Sequence, residues 1–150
     1  MQNIFEASGA QSMIARINNL KADTRPQWGK MNVSQMLAHC CVAYEMSYEN
    51  KHPKPGWLQR FFLKSFVKSA VVGPKPYPKN GRTAPVFIIA DERNFEKEKN
   101  RLIGYIEKTQ QLGANHFNQK ESHSFGPLSI EEWNMMFAKH LDHHLTQFGV

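Results

Sequence analysis

WNMMFAKHLDHHLTQF, residues Trp133 to Phe148, is the stretch on which the reading of the fold turns. Wound as a helix at about 100° per residue, it gathers Trp133, Met136, Phe137, His140 and His144 on one side, with Asn134, Lys139, Asp142 and Thr146 mostly elsewhere. Two imidazoles therefore sit in a stripe that a core would fill with apolar groups. Side chains four apart on a helix carry Cβ atoms about 5–6 Å apart, close enough for two imidazoles to share one metal ion. A pair of satisfied, partly buried histidines gives the same pattern, so a third ligand from another element must separate the two readings.

Ser129-Ile130-Glu131-Glu132 has the form of a capping box that opens this last helix. The preceding residues, Asn115 to Leu128, are polar, contain Gly126 and Pro127, and read as a connection; His116 and His123 within it have no partner at metal-ligand spacing. Before that, Asp91 is placed to cap a helix from Glu92 to about Leu112, with Phe95, Leu102, Ile103 and Ile106 on its apolar side and Gly113 as its stop. Near the start, Phe5 to Leu20 carries apolar residues at helical spacing, and the pattern ends ahead of Pro26. Asn32 and Gln35 form a second capping box, opening a helix to about Glu49. Its apolar stripe is Val33, Met36, Leu37, Cys40 and Tyr44, and His39 lies at the edge of it, toward Ala43 and Met46.

Between these helices, WLQRFFLKSFVKSAVV, Trp57 to Val72, puts Arg60, Lys64 and Lys68 in one stripe opposite Leu58, Phe62, Leu63, Phe66 and Ala70. Proline and glycine bound this segment on both sides. It is expected to pack across the other helices as a lid or to fill an interface. Val86 to Ile89 is a short apolar run that suits a strand or an extended packing segment.

The predicted architecture is an all-α, four-helix bundle in one domain over residues 1–150, with an extra amphipathic helix between the second and third principal helices. Such bundles build metal sites from side chains on facing helices, which makes His39 the natural third partner of His140 and His144. Three imidazoles leave a coordination position open for water or substrate. His143 lies on the flank of the same helix, in a supporting or surface place. Gln147 follows His144 by three residues and can orient a ligand or a bound water. The pattern is not that of a zinc protease, because HExxH needs Glu where this chain has Leu141.

Composition bounds the rest. The chain has 150 residues, 41% hydrophobic and 21% charged, enough for one core of useful size. Its two cysteines, Cys40 and Cys41, are adjacent and cannot staple distant segments, so they read as core filler in a reducing compartment. The net charge of +6 is read as scattered, often beside Glu as in Glu96-Lys97-Glu98-Lys99, with no nucleic-acid motif. The opening MQNIFEASG lacks a signal-peptide pattern, and no membrane association and a cytoplasmic location are expected.

With these residues in view, Met36-Leu37-Ala38-His39 and the closing HxxxHxxQ of His140, His144 and Gln147 resemble the DinB/YfiT-like metalloenzyme superfamily. Trp28-Gly29-Lys30-Met31 and HLDHHLTQFG resemble one subgroup of it, a domain of unknown function. The resemblance implies a homodimeric four-helix bundle whose His39, His140 and His144 hold a divalent metal, zinc or nickel first, with iron or manganese as alternatives. It also implies a small-molecule substrate and thiol-dependent transferase chemistry with a low-molecular-weight thiol, or a hydrolytic variant. Leu145-Thr146 stands where many members have Arg-Gly, which leaves substrate and reaction open. A bundle that binds a ligand or partner without catalysis is the other reading.

Overall fold

The computed structural model describes residues 1–150. It is mostly helical. Four long or medium helices share one core: α1 (Ala7–Asn18), α2 (Val33–Tyr48), α5 (Phe95–Phe117) and α6 (Ile130–Gln147). Between α2 and α5 lie the short helices α3 (Trp57–Phe62) and α4 (Lys68–Val72), joined by a π-helical turn over Leu63–Val67. No helix is long and apolar enough to cross a membrane.

Local chemistry explains where α2 and α6 begin. Asn32 Oδ1 accepts from the Gln35 amide at 2.9 Å while Gln35 Oε1 accepts from the Asn32 amide, and Ser129 and Glu132 repeat the exchange at the start of α6. The two helices then meet through aromatic side chains. Phe137 stacks on Tyr44 at 4.6 Å and on Trp133 at 5.5 Å, with Phe117 edge-on at 5.9 Å. All four are buried; Phe117 and Phe137 each contribute on the order of 1.5–3 kcal/mol by leaving water, whereas the Tyr44 hydroxyl is buried without a hydrogen-bond partner.

Several boundaries differ from the sequence reading. Asn94, not Asp91, caps α5 by accepting from the Lys97 amide at 2.9 Å. Gly113, at a φ of 71°, breaks the helical geometry just after Leu112 as the sequence suggests, although a second short helical piece follows directly. That added turn carries Phe117 into the core against Phe5, 5.0 Å away.

The expected connection after α5 contains a hairpin, β1 (Lys120–Ser122) against β2 (Gly126–Leu128), with Lys120 opposite Leu128. Ser122 Oγ closes it by accepting from the Phe125 amide and donating to the Gly126 carbonyl. The run Val86 to Ile89 is neither strand nor extended throughout, since Pro85–Phe87 is a 3₁₀ turn.

Two further corrections concern orientation. Lys139, expected off the buried face, is buried, because its Nζ donates to the carbonyls of Ala70, Gly73 and Lys75 at 2.5–3.1 Å. It thus caps the end of α4 and pins the insertion to α6. The insertion does not lay its apolar face on the other helices as a lid would. Leu63, Val71 and Val72 reach the core, but Trp57, Leu58, Phe61, Phe62 and Phe66 face outward.

Candidate metal centre

The apolar stripe of α6 delivers His140 and His144 one turn apart, and α2 crosses so that His39 points between them. Ring centroids of His39 lie 5.0 Å from His140 and 4.5 Å from His144, and the last two are 4.8 Å apart. One nitrogen from each ring lies within 4.8 Å of the others. Nitrogens sharing a tetrahedral ion at about 2.0–2.1 Å stand roughly 3.4 Å apart. The cluster therefore closes on an ion by small imidazole movements, without moving a helix.

The hydrogen bonds around the cluster orient it. His39 Nδ1 donates to the Phe87 carbonyl at 2.8 Å, and His144 Nδ1 donates to Gln147 Oε1 at 2.8 Å. With Nδ1 protonated, each ring presents an unprotonated Nε2 to the centre, the arrangement that ligating histidines need. His39 Nε2 lies 3.0 Å from His140 Nε2. Without an ion those two nitrogens share a proton, with His140 as the donor. Gln147 is held in turn, since its Nε2 donates to the Trp28 carbonyl at 2.7 Å. That approach explains Gly29: its φ is +86°, and a Cβ there would stand 2.5 Å from Gln147 Nε2.

Burial keeps the three imidazoles neutral. His140 is pushed well below the ordinary histidine range by burial and then by His144 and His39. His144 falls to about 3 from burial and from His39, and His39 is lowered by burial against the opposing Phe87 hydrogen bond. A neutral, oriented imidazole is a competent ligand at neutral pH. The donor set fits a divalent ion.

Around this centre, His143 is half-buried, edge-on to Trp28 at 5.9 Å and to Tyr77 at 5.6 Å. With Lys79, Asp142 and Thr146 these residues line a cleft of about 210 Å³. Lys79 Nζ stands 4.5 Å from the Trp28 ring centre. His116 and His123 lie outside the cluster; His116 meets Lys120 Nζ and His123 Nε2 donates to the His52 carbonyl. Both cysteines are buried, which raises the Cys40 thiol well above its usual range and Cys41 to about 12, so neither is a nucleophile at neutral pH.

Phe87, Trp28 and Tyr77 had no assigned role in the sequence. Trp28 acts through its carbonyl and ring, and Phe87 through its carbonyl and a ring 5.4 Å from His39. Backbone acceptors leave no signature in residue type. Tyr77 sits in a proline-rich stretch, where an aromatic residue between prolines is the one available hint.

A family model described as a protein of unknown function (DUF1569) matches residues 4–149. The chain belongs to this family. The match runs from before α1 to just past α6 and takes in His39, His140, His144 and Gln147. No curated protein and no solved structure matches the chain. The family description names no activity, so the chemistry rests on the residues themselves.

Proposed function

We propose that the protein is a divalent-metal-dependent enzyme built on a four-helix bundle of the DinB/YfiT type, with His39, His140 and His144 as the ligands. The observation that carries this reading is the double anchoring of Nδ1, on the Phe87 carbonyl and on Gln147, which turns both Nε2 atoms toward His140. Buried histidines serving only as packing have no need of converging lone pairs. Zinc or nickel suits three imidazoles best, and iron or manganese is the alternative.

A divalent ion held there supplies Lewis acidity, which lowers the pKa of a thiol or water enough to make it a nucleophile at neutral pH. The chain supplies the rest. Trp28 and Tyr77 wall the cleft beside His143. Lys79 brings a positive charge to the rim, favouring an anionic substrate or thiol. His143, kept neutral by burial against the raising field of Asp142, can take a proton from a group entering the cleft. The reaction class these parts serve is transfer of a low-molecular-weight thiol to an electrophilic small molecule, or hydrolysis.

The test is turnover by the metal-loaded protein against a panel of electrophiles with and without added thiol. Acceleration lost in His143→Ala, with metal content unchanged, is the expected result. Full metal binding with no acceleration on any electrophile would discard catalysis and leave a ligand-binding bundle.

A further inference from the structure

The Trp57 to Val72 segment is used by nothing described so far. Its basic stripe faces the protein: Arg60 pairs with Glu121, and Lys68 Nζ lies 2.7 Å from Glu132. Lys139 holds its far end. The segment is thus fastened through its polar side, and its apolar side is presented outward. Trp57 is 83% exposed, Phe66 72% and Phe61 60%. Beside them Leu58, Phe62, Leu63, Phe66 and Val67 line an open apolar hollow of about 410 Å³. Aromatic side chains bury about 150–250 Å² each when covered, so this patch is on the order of 500 Å², at the size that marks an interaction surface.

Charge identifies what covers it. Residues 50–90 hold eight of the 19 Lys and Arg and none of the 13 Asp and Glu, so the rest of the chain is net acidic. The positive charge is segregated on the insertion, contrary to the scattered distribution read from the sequence. Lys51, Arg60 and Lys68 are paired with carboxylates. Lys54, Lys64, Lys75, Lys79 and Arg82 are exposed and have no acidic partner.

A second copy meeting this face about a two-fold axis would bring one acid-free, basic segment against another, and like charges across an interface oppose association. A neutral apolar partner would leave the charge unanswered. A surface that is apolar inside and anionic at its rim satisfies both features.

We propose that the outer face of the Trp57 to Val72 segment docks the protein onto anionic membrane surfaces. Trp57, Phe61 and Phe66 enter the headgroup–acyl boundary, and Lys54, Lys75 and Arg82 meet lipid phosphates. Docking is peripheral, in keeping with the absence of a helix able to cross a bilayer. It does not depend on the metal reading.

The experiment is flotation of the full-length protein with phosphatidylcholine vesicles, with and without phosphatidylglycerol, at low and high salt. Light scattering without lipid runs in parallel. Each basic side chain near an anionic surface contributes a several-fold factor, so binding is expected to be roughly 100-fold tighter on the anionic vesicles. It should be lost at high salt and accompanied by a blue shift of Trp57 emission. Phe61→Glu with Phe66→Glu should abolish it without loss of helix, because both positions are exposed. Lys54→Glu with Lys75→Glu should remove the preference for anionic lipid. No binding to anionic vesicles, or equal binding to neutral ones, would overturn the proposal. So would a wild-type dimer that ignores vesicles and becomes monomeric in Phe66→Glu, which would assign the face to a second copy.

Discussion

The inner face of α6 and the outer face of the Trp57 to Val72 segment break the same rule in opposite directions. The first buries polar rings where a core wants carbon, and the second leaves aromatic rings in water. Both are helical, and both carry apolar and polar residues at ordinary amphipathic spacing. They differ in how their polar groups are satisfied. At the inner face of α6, His144 has Gln147, and His39, facing it from α2, has Phe87, so burial costs little beyond keeping the rings neutral. On the insertion, Arg60 and Lys68 find carboxylates on the hairpin and on α6, and those pairs turn the segment polar side inward. An amphipathic pattern therefore states that a helix has two faces. It does not state which one the protein covers.

Acid should break the comparison most strongly. In metal-free protein the folded state holds His140 and His144 neutral far below the unfolded value of about 6.5, down to about 3 for His144. The stability they allow is fully present above about pH 6.5 and is lost as pH falls toward 3, because only the unfolded chain takes up the protons. The slope is roughly 1.4 kcal/mol per pH unit for each histidine. Denaturant unfolding between pH 7 and 4 measures it, and replacing His144 with Leu should flatten it. A stability independent of pH across that range would contradict the buried, neutral cluster.

Truncating matched aromatics sharpens the contrast. Phe137→Ala removes a ring packed on Tyr44, Trp133 and Phe117 and should cost about 3–5 kcal/mol. Phe66→Ala removes a ring that touches little and should change stability by no more than about 0.5 kcal/mol. Chemical denaturation of the two variants compares them directly, and equal losses would mean that the insertion's outer face is covered.

A smaller effect is expected from the residue that orients a ring without touching the centre. Gln147→Leu leaves His144 Nδ1 without an acceptor and the Trp28 carbonyl without a donor. Metal affinity should fall by about 10–100-fold while the helices persist. Isothermal titration with zinc reads this, and unchanged affinity would show that the Trp28–Gln147–His144 chain does not position the ligand.

Much of the site was legible because helices report on themselves. The four-residue step from His140 to His144 is a local fact, and the two capping boxes set the register of α2 and α6, which fixes where His39 points. What was not legible depends on partners distant in sequence. The Phe87 carbonyl is 48 residues from His39 and carries no side-chain signal. Lys139 is buried because three carbonyls of the insertion converge on it, and the residues that offer them, Ala70, Gly73 and Lys75, show nothing of this by type. The hairpin leaves no mark in the sequence, because three-residue strands are too short to show alternation. The segregation of charge lies in the sequence at the level of whole segments, since residues 50–90 contain no Asp or Glu, and not in the immediate neighbours of each Lys.

The most direct test of the account is the metal content of protein purified without an affinity tag, beside that of His140→Ala and His144→Ala. The account predicts one divalent ion per chain in the wild-type protein, its loss in both variants with helical content retained, and a lowered melting temperature when a chelator removes it. Full retention of metal by both variants, or no binding by the wild type on titration with zinc or nickel, would contradict it and leave the three histidines as a hydrogen-bonded core cluster.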